Sequence, residues 1–124
     1  MSGGIGFGAV VLDCPDVDAL AEFYSQLLDR PISPKREADW VDLTGTPTIS
    51  FQQVADYESP DWPDGAPQQI HLDFTVDEFE STHRRAVELG ATPLDPVDPP
   101  RVDDTLSFRV YADPAGHPFC LCAC

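Results

Sequence analysis

Two stretches of this chain repeat each other 62 positions apart, which is half of its 124 residues. In the first, residues 7–13 read as a buried strand and Asp16 offers a helix N-cap. Val17, Leu20, Tyr24, Leu27 and Leu28 then fall at helical spacing over residues 17–28, before Pro31 stops the helix. In the second, residues 69–75 read as a strand and Glu78 falls where Asp16 fell. A helix over 78–89 carries Phe79, Ala86 and Val87 on one face and ends at Gly90. Asp77 with Glu80 three residues on has the form of a capping box for that helix. After each helix come strands in hairpin succession: 38–43 and 48–54 around the turn Gly45-Thr46-Pro47, then 92–95, 106–112 and 118–122. An internal duplication of a strand–helix–strands module follows. An ordinary alternating α/β sheet fits less well, because no further helix follows these strands.

At this length the two modules make one domain, since either half alone is too small to fold well. We place module one at about 5–55 and module two at about 69–123, within a single domain over 1–124. The loop 56–68 between them holds Pro60, Pro63, Gly65 and Pro67, and reads as a linker or a lid. Composition then excludes several classes of partner. With 22 acidic against 7 basic side chains, the net charge of -15 repels phosphate backbones, so nucleic acid is not an expected partner. No run of apolar residues is long enough to span a membrane. No secretory signal is read at the N-terminus, so a cytoplasmic location is expected. Cys14, Cys120, Cys122 and Cys124 are accordingly expected as reduced thiols.

Three strings point to a family. Asp16 to Leu28, with Phe23-Tyr24 and Leu27-Leu28, resembles the first-module helix of the glyoxalase / bleomycin-resistance / dioxygenase superfamily, with Asp29 where glycine is usual. Val76-Asp77-Glu78-Phe79 leading to Glu88-Leu89-Gly90-Ala91 resembles its second-module helix. Tyr111-Ala112-Asp113-Pro114-Ala115-Gly116-His117-Pro118-Phe119 resembles the hairpin before its last strand. The resemblance covers essentially the whole chain. It implies an α+β fold of two βαβββ modules, a curved mixed sheet with a concave ligand cavity, and helices outside.

The resemblance also implies a divalent-metal site with one ligand from the first and one from the last strand of each module. Carried onto this sequence, those positions fall on Ala9, Gln52 or Gln53, His71 and Cys120. Alanine has no donor and a neutral glutamine is a poor one, so the set of imidazoles and carboxylates for a hard cation is not kept. No metal or other cofactor is therefore expected. If a metal binds, His71 and Cys120 are the ligands to expect.

Alternation along the strands selects the remaining candidates. His71, Asp73 and Thr75 share one strand face, and Cys120 and Cys122 share another. Trp40, Gln52, His71, Arg109, Tyr111 and Cys120 are expected to line the ligand cavity, with Trp62 placed to close over it. His71 is the candidate general base. His83 reads as a half-buried helix residue and His117 as solvated in its turn. The expected function is binding of a small organic molecule without the family's divalent metal, as in bleomycin-resistance proteins. The alternatives are a metal-dependent lyase, isomerase or dioxygenase, or a metal-free enzyme using His71. A homodimer is the assembly that the resemblance implies.

Overall fold

The computed structural model describes residues 7–60, 63, 65, 70–100 and 108–122. Its elements run β1 (Ala9–Cys14), α1 (Val17–Leu28), β2 (Trp40–Leu43), β3 (Thr48–Gln53), β4 (Leu72–Thr75), α2 (Phe79–Leu89), β5 (Thr92–Asp95), β6 (Phe108–Ala112) and β7 (Pro118–Cys122). The described residues divide into two compact units, the first ending at Tyr57 and the second beginning at Glu58. Each holds a mixed sheet, ordered β1-β3-β2 and β4-β7-β6-β5. In each, the first strand runs parallel to the last, and the last pairs antiparallel with the strand before it.

The duplicated order is complete in the second unit and abbreviated in the first. Where β5 follows α2, the first unit has an isolated antiparallel bridge between Ile32 and Leu43. Two backbone bonds flank it, Ser33 N–H to the Asp42 carbonyl at 2.8 Å and Thr44 N–H to the Pro31 carbonyl at 3.0 Å. Pro31 and Pro34 bracket this segment, and a residue without an N–H cannot extend a ladder.

Local chemistry sets both helices. The Asp16 side chain accepts from the backbone N–H of Asp18 and Ala19 at 3.1 and 3.2 Å, satisfying two donors that the first turn leaves open. In α2 the cap is Glu78, not Asp77. Its carboxylate accepts from Ser81 N–H at 3.3 Å and from the Ser81 hydroxyl at 3.1 Å. The two caps thus stand 62 residues apart, the offset of the repeat. At the other end, Asp29 closes α1 in the left-handed region at φ 54°, and Gly90 closes α2 at φ 121°.

Each sheet packs one face on its own helix. In the first unit Val17, Leu20, Ala21 and Tyr24 meet a layer that includes Val41, Leu43, Ile49 and Phe51, all buried. Tyr24 stacks on Phe51 with ring centroids 5.8 Å apart. In the second unit α2 contributes only His83 and Ala86 as buried residues. His83 Nδ1 lies 2.7 Å from the Tyr111 hydroxyl, and Tyr111 stacks on Phe119 at 5.5 Å. His83 is thus a buried, hydrogen-bonded core residue. His117 is half-buried and held in its turn: its Nδ1 lies 2.8 Å from Asp113 Oδ2, and the other Asp113 oxygen accepts from the N–H of Ala115 and His117.

Candidate functional site

Strand pairing decides which side chains share the face opposite each helix. In the first unit Trp40 pairs with Gln52 and Asp42 with Ser50, while Ser50 and Gln52 pair with Val11 and Asp13 of β1. Lateral partners point the same way. Trp40, Asp42, Ser50, Gln52, Val11, Asp13 and Ala9 therefore lie on the face opposite Phe51. Trp40 Nε1–H donates to Asp42 Oδ1 at 2.8 Å, and the buried Ser50 hydroxyl donates to the same oxygen at 2.6 Å. Gln52 is exposed. Gln53 points the other way, and its Oε1 accepts from Val17 N–H at 3.1 Å.

The same accounting in the second unit pairs Val110 with Cys120, Phe108 with Cys122, and Cys120 with Asp73. His71 stands two residues before Asp73, and its Nε2 lies 3.1 Å from Asp73 Oδ1. The donor atoms of His71, Asp73 and Cys120 all lie within 4.8 Å of one another. Behind them Val110, Cys120 and Cys122 form a buried cluster with Leu94 against it. Burial, then the Asp73 carboxylate and the neighbouring Cys122, push the Cys120 thiol up to about 12.

Arg109 and Tyr111 require a correction. They pair with Leu121 and Phe119, so they occupy the face packed against α2 and not the face of Cys120. The Tyr111 hydroxyl is held up at about 12 by burial, against the opposing pull of Arg109, so it stays protonated beside His83 Nδ1. Burial, with the Arg109 guanidinium, holds His83 below its ordinary value. Arg109 is itself buried, donating to the Asp98 carbonyl at 2.8 Å. The sequence misled because Arg and Tyr read as polar handles for a ligand, whereas here their polar atoms are satisfied inside the core. Trp62 and Cys124, and the outer ends of the strands expected at 69–75 and 106–112, lie outside the described residues.

A second correction concerns the metal positions carried from the resemblance. Cys120 pairs with Asp73, and the residue 62 positions before Asp73 is Val11, which pairs with Ser50. Ser50, not Gln52 or Gln53, is therefore the first-unit counterpart of Cys120. The signal lay in the sequence as the repeat offset, but using it required the strand register. The four positions become Ala9, Ser50, His71 and Cys120. Ala9 has no donor and the Ser50 hydroxyl is engaged by Asp42, so these residues do not fit the family's hard-cation centre.

One cleft lies in the second unit. It holds about 470 Å³ beside α2, with His83, Val87, Pro99 and Pro100 in its walls and Glu80, Arg84 and Glu88 completing the lining. None of the six residues expected to line a ligand cavity belongs to it.

Residues 9–122 match the family described as Glyoxalase-like domain, and the chain belongs to that family. Solved structures agree on the fold. The chain is similar to a glyoxalase/bleomycin resistance protein/dioxygenase family enzyme from Burkholderia phytofirmans PsJN, with 19% identity and a TM-score of 0.71. That match covers 94% of this chain and 97% of the other. It is also similar to a hypothetical protein from S. aureus, at 20% identity and a TM-score of 0.69, covering 98% of this chain and 100% of that one. A possible glyoxalase from Bacillus cereus follows at 15% identity and a TM-score of 0.66, covering 96% and 99%. No curated protein sequence matches the chain. Among the described residues, no helix is long and apolar enough to cross a membrane.

Proposed function

We propose that this protein binds a small organic molecule, with a cationic or hydrogen-bond-donating group, against the first unit's sheet face and without the family's four-ligand hard-cation centre. The observation that carries this reading is the arrangement around Asp42. Trp40 Nε1 and Ser50 Oγ both donate to Asp42 Oδ1, so the carboxylate is oriented and the half-buried indole is fixed beside it. Neither bond uses Oδ2. A rigid aromatic wall beside an oriented anion suits an aromatic or aliphatic amine. Stacking of a cation on an indole contributes about 0.5–2 kcal/mol. The net charge of -15 favours the same ligand sign at low salt.

A ligand screen by tryptophan fluorescence tests this on the parent, Trp40→Phe and Asp42→Asn. Amines are expected among the hits. Asp42→Asn is expected to weaken them roughly tenfold, about 1.4 kcal/mol. Predominantly anionic hits, or unchanged affinity in both variants, would place the binding face elsewhere.

A further inference from the structure

We propose that His71, Asp73 and Cys120 together hold one borderline divalent ion of the zinc class, in a site contained within the second unit. The ladder places two of the donors. Parallel pairing of β4 with β7 sets Asp73 beside Cys120, and His71 lies two residues up the chain from Asp73. The His71 Nε2 to Asp73 Oδ1 separation is 3.1 Å, and all three donor atoms fall within 4.8 Å of one another. A tetrahedral zinc with bonds of ~2.0–2.3 Å holds its donors roughly 3.3–3.7 Å apart. The side chains therefore need to move by only about 1 Å, without any change in strand register.

The donor set selects the ion. One imidazole nitrogen, one carboxylate oxygen and one thiolate sulfur suit zinc or cobalt, whereas magnesium and calcium require oxygen throughout. Charge also balances: when the ion binds, the Cys120 S–H bond breaks and its proton goes to the buffer. Thiolate and carboxylate then neutralise the two positive charges. Val110 and Cys122 back the sulfur with low-dielectric packing, while His71 and Asp73 remain exposed. That exposure leaves the fourth coordination position open to water or a ligand, as in zinc sites that do chemistry.

The duplication supplies an internal control. The first-unit counterparts of His71, Asp73 and Cys120 are Ala9, Val11 and Ser50, which offer a metal no imidazole, carboxylate or thiolate. The donors are therefore a property of this module's side chains and not of the fold. This site shares no residue with the amine-binding face proposed above, so either can fail without the other.

The test uses full-length protein, stripped by chelation and kept reduced, then titrated with Co²⁺ and followed by absorption. One Co²⁺ per chain is expected, with thiolate-to-metal charge transfer and the intense visible bands of a tetrahedral ion. Equimolar Zn²⁺ should displace it, and a large excess of Mg²⁺ should not. Cys120→Ser should abolish the charge transfer, and Cys122→Ser should leave it unchanged. His71→Ala and Asp73→Asn change exposed residues and should each weaken binding at least tenfold. These two variants decide the matter if Cys120→Ser proves misfolded by circular dichroism. The proposal is overturned by an absent charge-transfer band, by competition from Mg²⁺ at similar concentration, or by a band that needs Cys122 or Cys124 instead of His71 and Asp73.

Discussion

The two units share an offset, a strand order and a pairing pattern, yet their sheet faces differ in chemical character. Against its helix, the first unit packs Val41, Leu43, Ile49 and Phe51, whereas the second packs Arg109, Tyr111, Phe119 and Leu121. On the opposite face the first unit carries Trp40, Asp42, Ser50 and Gln52, and the second carries Phe108, Val110, Cys120 and Cys122. Backbone pairing fixes which residues share a face but not what they must be. An apolar layer needs only volume and fit. A polar layer is tolerated only where each polar atom finds a partner, as His83, Tyr111 and Arg109 do.

The sharpest way to break this comparison is to remove one ring or hydroxyl from each helix-facing layer. Phe51→Ala in the first unit should cost about 3–5 kcal/mol, since the ring is fully buried against Tyr24 and leaves a cavity. Tyr111→Phe in the second should cost about 1–3 kcal/mol despite losing a single oxygen, because His83 Nδ1 loses its hydrogen-bond partner inside the core. Urea unfolding measures both. A neutral Tyr111→Phe would mean that the His83 contact contributes nothing.

Acid should weaken the polar layer next. His83 is held below 6.5 in the folded protein, first by burial and then by Arg109, whereas the unfolded chain takes up that proton near 6.5. Below that pH the unfolded state binds more protons, so stability falls as pH drops from about 6.5 towards the folded value, then levels off. Unfolding free energies of the parent and His83→Gln, compared between pH 7.5 and 5, check this. The parent should lose more stability over that span, and equal slopes would remove His83 from the account.

The smallest effect concerns the two helix ends. Asp29 closes α1 at φ 54° where Gly90 closes α2 at φ 121°. Glycine enters that region without a side-chain penalty, so Asp29→Gly should raise stability by up to about 1 kcal/mol. A fall in melting temperature would show that the Asp29 side chain contributes more than the strain it carries.

Much of the fold was legible in the chain. Asp16 and Gly90 marked the helix ends they cap, and the helical spacing of Val17, Leu20 and Tyr24 named the face that is buried. Glu78 fell at the repeat position of Asp16, yet the capping box suggested Asp77, because both acids precede the helix and only backbone geometry separates them. The candidate site was legible in part. His71 and Cys120 came from the ligand positions that the family resemblance implies, and Asp73 was read onto the face of His71.

What the sequence alone determined was periodicity: two modules, their helices, and which residues of one strand alternate with which. Only the tertiary structure decided how one strand's alternation is phased against its neighbour's. A shift of one residue moves every side chain to the other face. The register of β6 against β7 sent Arg109 and Tyr111 to the helix and left Val110 beside Cys120. The register of β1 against β3 made Ser50, not a glutamine, the counterpart of that cysteine, and β4 against β7 brought Asp73 to it. The turn Asp113–His117 sets that phase for β6 against β7, and hydrogen bonds between strands distant in sequence set it for the other two pairs.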